Sequence, residues 1–365
     1  MNILYISYSF GHPDAGPSWS IPASVAAQAK IDNVMWVNIV DVERDNWKAL
    51  PQFHNLKEYV KASLDCFPEP FNHPDLIVFE ELYSLKIVQF ARQARKRGIP
   101  YVIVPRGGLT KQSFNNHSRW KKQLTHPFLF DPFIKHALAI QYLSQQERED
   151  VRKDLCPNAL IIPNGINKPD KVKQSFSMVG IKGLFVGRID MYHKGIDLLL
   201  DVISEIKDEL REAHFTISIH GPETKDTVTI KDFVSEHQLS DLVECGDALF
   251  GEQKKVAFLN SDVFFLTSRT EGMPMGLIEA LSYGLPAFVT RGSCMMNEIV
   301  TSNAGWGCEF SKEEMIASFR QMVKDKSIFL EKSKGAISLS NQYNWDELAQ
   351  MFHEKVNALL EKKNA

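Results

Sequence analysis

Short apolar runs alternate with longer stretches of helical period along nearly the whole of this chain, and that alternation admits few folds. The first series of candidate strands is Ile3 to Tyr8, Val34 to Ile39, Leu76 to Phe79, Tyr101 to Val104, Ala139 to Leu143 and Leu160 to Pro163. Helical pattern fills gaps between them, as at Ser84 to Arg97 and Gln145 to Asp154. Strand, helix, strand in succession predicts a parallel sheet with right-handed crossovers. The pattern stops at Asn164 to Met178, a polar stretch with Gly165 and Pro169 that reads as a linker. It then resumes with Gly183 to Val186, Phe215 to Ile219, Leu242 to Cys245, Val263 to Thr267 and Ala287 to Thr290. Between the first two of these, Ile196, Leu199, Leu200, Ile203 and Ile206 predict one buried helical stripe. Two doubly wound domains follow, with ligands expected beyond the carboxyl ends of the strands.

A length of 365 residues suits two cores. Hydrophobic residues at 44% and charged residues at 24% are ordinary globular values. The net charge of −3 predicts no nucleic-acid partner. The opening MNILYISYSF reads as a first strand rather than a secretory signal. No apolar run is long enough for a transmembrane helix. Cys66, Cys156, Cys245, Cys294 and Cys308 lack C-x-x-C spacing, which predicts neither a zinc site nor a disulfide framework, and a cytoplasmic setting.

The densest chemistry lies in EGMPMGLIEALSYGLPAFVT, which starts at Glu271. Pro274 suits a first helical turn, and Gly284 and Pro286 end the helix. Glu271 then lies in the loop after a strand, and Glu279 lies inside the helix. Free N–H groups around Met275, Gly276 and Leu277 favour an anion such as a diphosphate. Glu279 suits the two hydroxyls of a ribose and Glu271 the hydroxyls of a transferred sugar. The plain alternative for Glu279 is a solvated helix residue. Its neighbours Leu277, Ile278, Ala280 and Leu281 make a carboxylate there need a partner.

This segment resembles the E-x7-E signature of glycosyltransferase family 4, the group 1 retaining transferases of GT-B fold. The wider pattern EG-x-P…EAL-x-x-G-x-P carries the specificity. GLFVGRIDMYHKG is similar to the family's G-R-x…K-G motif. It implies that Gly187 ends a strand and that Arg188 and Lys194 neutralise the donor diphosphate, Arg as a fork and Lys as a point charge. HGPE at 220–223 resembles the family's strand-end G-P, and GDALFGEQKK at 246–255 the stretch that packs on the nucleotide base. Backbone groups of Leu249 and Phe250 would then meet a uracil edge. GHPDAGPSWSIPA at 11–23 resembles the glycine loop that faces donor phosphates and acceptor. Gly11 and Gly16 would permit close approach there and Ser18 would cap the next helix, although on the loop alone a ligand-free turn is preferred. VPRGGL resembles the family's P-R-G-x-L variant, where many relatives carry His. It implies an electrostatic role for Arg106 and Gly107 on the acceptor side, since Arg is no base. His12, His117 and His126 lie nearby, but a lone His is more often structural. LIIPNGI implies a hinge at Asn164 and Gly165, and YNWDELAQMFHEKVNALL a terminal helix returning to the first domain.

The resemblance spans essentially the whole chain. It implies two Rossmann-like parallel-sheet domains facing each other across a cleft. An acceptor-binding domain at 1–166, a nucleotide-sugar domain at 167–340 and a returning helix at 341–365 are expected. It also implies a hexosyltransferase-type enzyme that moves a sugar, with retention, from a UDP-sugar to a glycan or lipid-linked acceptor. Bacterial surface polysaccharide assembly is the implied setting. Arg188, Lys194 and Glu271 would be catalytic. No D-x-D motif stands in a matching place, so neither metal nor cofactor is expected. The alternatives are a GT-B nucleotide-sugar epimerase and a non-enzymatic two-lobed sugar-binding protein. Residues 84–136 hold eleven Lys or Arg and one acidic residue, Asp131, with Phe128, Phe130 and Phe133. Such a face can dock on anionic lipid at the inner side of a membrane. A solvated helix face with buried aromatics weighs about evenly against it.

Overall fold

The computed structural model describes residues 1–12, 16–106, 108–109, 129–149, 151, 158–271, 273–324 and 326–364. Two compact units emerge. The first comprises Met1–Gly165 with Trp345–Ala365, and the second Ile166–Asn344. The sequence reading drew these boundaries after 166 and 340. The returning helix starts only at Trp345, because 341–343 still turn with the second unit.

The first unit holds a parallel sheet of seven strands: β1 (Asn2–Ser7), β2 (Asn33–Asn38), β3 (Phe53–Asn55), β4 (Leu76–Glu80), β5 (Tyr101–Val104), β6 (Ala139–Tyr142) and β7 (Ala159–Ile161). Their order is β3-β2-β1-β4-β5-β6-β7, so the winding reverses between β1 and β4. Side chains alternate across the sheet with period two. Leu4, Ile6, Met35, Val37, Ile77 and Phe79 face one apolar layer, and Ile3, Tyr5, Val34, Trp36, Leu76 and Val78 the other. The second layer is covered by Ile21 and Val25 of the helix Pro17–Gln28 and by Leu348, Phe352 and Val356 of the terminal helix. Their spacing of four puts those last three on one stripe. Gly165, just before the chain leaves this unit, lies where a Cβ would reach within 2.5 Å of the Trp345 ring.

The second unit repeats the plan with six parallel strands: β8 (Ile181–Val186), β9 (Phe215–His220), β10 (Val243–Gly246), β11 (Val263–Leu266), β12 (Ala287–Thr290) and β13 (Gly305–Cys308). The order is β10-β9-β8-β11-β12-β13, reversing between β8 and β11. Phe265, Phe288 and Phe319 stack at the centre of its core, with centroids 4.8–5.4 Å apart. Ile196, Leu199, Leu200 and Ile203 form the buried stripe of the helix Ile196–Glu205, and Ile206 opens the next turn.

The expected α/β class with two parallel sheets is therefore what the chain adopts. Two strands were not foreseen. β3 is three residues long and includes His54 and Asn55, too short and too polar to stand out. β13 reads Gly-Trp-Gly-Cys, and glycine normally weakens a strand. Here a Cβ on Gly305 would lie 1.9 Å from the Ala287 carbonyl oxygen, so the pairing with β12 requires glycine. Among the described residues no helix is long and apolar enough to cross a membrane.

Candidate functional site

The carboxyl edge of the second sheet gathers most of the residues singled out from sequence. β8 ends at Val186, and the loop 187–195 carries Arg188 and Lys194. β11 ends at Leu266, and the loop that follows carries Glu271. The two loops are tied together at the backbone. Gly195 has φ +63°, and a Cβ there would lie 2.0 Å from the Thr267 carbonyl oxygen, so only glycine lets the strands' exits approach this closely. The Thr267 hydroxyl donates to the Lys194 carbonyl at 3.1 Å, and the Arg269 N–H donates to the His193 carbonyl at 2.9 Å. Arg269 completes the joint. Its guanidinium makes two 2.8 Å bonds to Asp197 and lies between the rings of Tyr192 and Phe310, at 4.2 and 4.4 Å.

This framework aims Lys194 Nζ at Glu271 Oε1, 2.6 Å away. The Ser268 hydroxyl donates to the same oxygen at 2.5 Å. The Lys194 and Glu271 side chains are 19% and 12% exposed, so the pair is sheltered yet open on one side. Arg188 stands further out, 62% exposed, with a 3.3 Å contact to Asp190. At Asp190 burial works against ionisation. The His193 N–H and ring, then Arg188, outweigh it and hold the carboxyl below its usual range.

The helix Met275–Ser282 begins at Pro274 and stops before Gly284, whose φ is +78°. Its first turn is less open than expected. The Met275 N–H donates to Met273 O and the Leu277 N–H to Pro274 O, each at 3.0 Å. The Gly276 N–H has no partner among the described residues, and a Cβ on Gly276 would lie 3.3 Å from the Val186 carbonyl oxygen at the end of β8. Glu279 has the partner that its apolar neighbours demanded: Lys254 donates to its Oε2. Lys254 belongs to the helix Gly251–Asn260, which opens directly after Leu249 and Phe250. The Phe250 carbonyl already accepts from Gln253, so it is committed to starting that helix, while Leu249 makes no backbone bond among the described residues.

Lys254, Ser268, Arg269 and Asp197 were not picked out from sequence. Lys254, Arg269 and Asp197 act through partners distant in the chain, so no local spacing marks them, while Ser268 reaches Glu271 three residues on within the same loop. The motif's Gly187 does sit at the turn out of β8, with its N–H on the His220 carbonyl at 3.0 Å.

In the first unit the expectations fare differently. Arg106 is no open acceptor-side cation. Its guanidinium bonds Glu80 at 2.8–2.9 Å, Ser20 Oγ at 2.8 Å and Asn164 Oδ1 at 3.2 Å. Arg106 and Glu80 are 6% and 3% exposed. A buried carboxylate needs such a cation, and here two of the guanidinium's nitrogens go to it while the third goes to Ser20 and Asn164. Gly107, His117, His126, Phe128 and Cys156 lie outside the described residues. Gly16 starts the helix Pro17–Gln28, and a Cβ on it would meet nothing within 4 Å, so no close approach depends on it. Ser18 does not cap that helix, because Pro17 begins it one residue earlier. Phe130 and Phe133 of the basic stretch are buried in the core. Arg97 pairs with Asp65. Exposed cations on the helix Leu85–Lys96 remain at Lys86, Arg92, Arg95 and Lys96.

Comparison with solved structures places the fold among the GT-B glycosyltransferases. Sucrose-phosphate synthase from Thermosynechococcus elongatus superposes with a TM-score of 0.72 at 16% identity, covering 99% of each chain. HepE of Anabaena, in complex with UDP, gives 0.74 at 15% identity, covering 98% of this chain and 100% of that one. Among curated proteins, a subunit of the human phosphatidylinositol N-acetylglucosaminyltransferase is 28% identical over 211 residues, 57% of this chain and 41% of that protein. Mannosylfructose-phosphate synthase of Agrobacterium fabrum is 26% identical over 186 residues, 49% of this chain and 41% of that protein. The matched region thus spans about two fifths of these curated relatives. The family model described as "Glycosyl transferases group 1" matches residues 169–337, which take in both loops, both ion pairs and nearly all of the second unit. That match takes in a little under half of the chain, and through it the second unit is similar to the group 1 glycosyl transferases.

Proposed function

We propose that the protein transfers a sugar from a nucleotide-diphosphate donor, a UDP-sugar, to a hydroxyl of a glycan or lipid-linked acceptor, with retention of anomeric configuration. The observation that carries this reading is the pair of carboxylate–lysine couples on the carboxyl edge of the second sheet, Glu271–Lys194 and Glu279–Lys254. Glu279 receives the ribose hydroxyls, and Leu249 meets the base through its backbone groups. Arg188 and Lys194 neutralise the diphosphate as it departs, which is where charge develops. Lys194 then exchanges Glu271 for phosphate oxygens, and Glu271 turns to hydroxyls of the sugar. The donor's own phosphate takes the acceptor proton on the same face. Positioning and charge stabilisation supply the catalysis, without metal.

The family match supports the reading, as does the UDP bound by HepE, whose fold is similar. A bacterial surface-polysaccharide role is part of it, since similar proteins include the amylovoran biosynthesis glycosyltransferase of Erwinia amylovora. So is docking on anionic lipid through Lys86, Arg92, Arg95 and Lys96, for which co-sedimentation with anionic vesicles at low salt is the test; no binding removes it. The donor assignment is tested by thermal shift against UDP-, GDP- and ADP-sugars, with wild type and Glu279→Ala. Stabilisation by the UDP compounds alone, lost in the variant, is expected. No shift with any nucleotide overturns it.

A further inference from the structure

Two carboxylates leave the end of β4 side by side, and their surroundings differ. Glu80 is buried on Arg106. Glu81 is half-buried, and the carboxylate's hydrogen-bonding neighbour among the described residues is the Leu82 N–H. Arg106 and Glu80 are the charged groups that reach Glu81 among those residues, and Arg106 makes its hydrogen bonds to Glu80, Ser20 and Asn164. Burial therefore pushes the Glu81 carboxyl up to about 7, with Glu80 adding to the rise and Arg106 opposing it. The backbone is unusual too. Glu81 has φ 131°, a region that side-chain-bearing residues rarely adopt. Such strain persists where the surroundings enforce it, and it clusters at ligand sites.

The place matters as much as the strain. β1 and β4 are neighbours, with Ser7 opposite Glu80, so Tyr8 and Glu81 leave the sheet together where the winding reverses. That is where a sheet of this kind takes its ligand. On the same edge Phe10 is 51% exposed, its ring set edge-on to Tyr8 at 5.0 Å and stacked with His12 at 6.5 Å. A carboxyl group and an exposed aromatic ring on one sheet edge, joined through Tyr8, match a sugar ring: hydroxyls for the one, the apolar C–H face for the other.

We infer that Glu81 is a positioning residue for the acceptor, holding a hydroxyl of a sugar ring that lies on Phe10. The inference rests on the transferase reading for the word acceptor but not for the sugar subsite itself. It also replaces Arg106 as the polar group that meets the ligand in this unit.

Saturation-transfer NMR with an equimolar mixture of the methyl glycosides of glucose, galactose, mannose and N-acetylglucosamine tests it. The proteins are wild type, Glu81→Gly, Phe10→Ala and Glu279→Ala. Glu81→Gly removes the carboxyl and relaxes the backbone, so it should melt higher than wild type while losing the sugar signals at least tenfold. Phe10→Ala should lose them as well. Glu279→Ala should keep them, since it lies in the other unit. Sugar signals that persist in Glu81→Gly, or that are missing in wild type, overturn the inference. So does a lower melting temperature in Glu81→Gly. UDP-dependent stabilisation, measured on the same samples, should be equal in wild type and Glu81→Gly. Its absence from both, with Glu81-dependent sugar signals intact, contradicts the donor reading and leaves the subsite standing.

Discussion

The carboxyl edges of the two sheets each hold Arg or Lys against Glu, but they use the pairing in opposite ways. In the first unit Arg106 and Glu80 are nearly sealed from solvent, and the guanidinium also bonds two further acceptors. In the second, Lys194 and Glu271 keep one open side, and Arg188 is mostly in water. A sealed pair holds structure, because removing one partner leaves a charge stranded in apolar surroundings. An open pair can trade its partner for a ligand at little cost, because water already shares its solvation. Cation–carboxylate pairs at the carboxyl edges of the two sheets thus divide into scaffold and candidate site according to burial.

The comparison breaks most visibly at Arg106. Arg106→Ala should destabilise the fold by about 3–5 kcal/mol, because Glu80 loses its cation inside the unit. Urea denaturation measures this. A loss below about 1 kcal/mol would mean that Arg106 is not scaffold. UDP affinity of the folded variant should be unaffected.

Lys194→Ala should behave in reverse. Turnover should fall on the order of 100-fold, or about 2.7 kcal/mol of transition-state stabilisation. Stability should change by no more than about 1 kcal/mol, since Ser268 still holds Glu271. Steady-state kinetics and the same denaturation series separate the two effects. Near-normal turnover would remove Lys194 from the site.

A pH effect tests the burial of Glu81, whose carboxyl, like that of Glu80, is raised by it. A carboxyl whose folded value is raised binds its proton more tightly folded than unfolded. Its ionisation costs stability as pH rises from the unfolded value near 4.5 to about 7, and below that window the cost is absent. Wild type should lose stability steadily across that window relative to Glu81→Gln. Parallel pH–stability curves for the two proteins would contradict the assignment.

How much of this was legible in sequence follows the same physics. Strands buried on both faces read as unbroken apolar runs, so β1, β5 and β12 were visible, while β3 and β13 were hidden by polar and glycine residues. Arg188 with Lys194, and Glu271 with Glu279, stood out as candidates because each pair lies in a motif compact along the chain. Lys254 could not, since its partner Glu279 lies 25 residues away on another helix and no periodicity links them. Arg106 was visible as a cation at a strand end. That it faces Glu80 instead of a ligand depends on how β4 and β5 pair, with Glu80 opposite Val104, and this is a tertiary fact.

Isothermal titration of UDP into wild type and Glu279→Ala tests the donor site most directly. Binding to wild type, weakened at least tenfold in the variant while its melting temperature stays close to wild type, is the predicted result. Equal affinity in both proteins, or no binding to either, would contradict a nucleotide-diphosphate site on the second sheet.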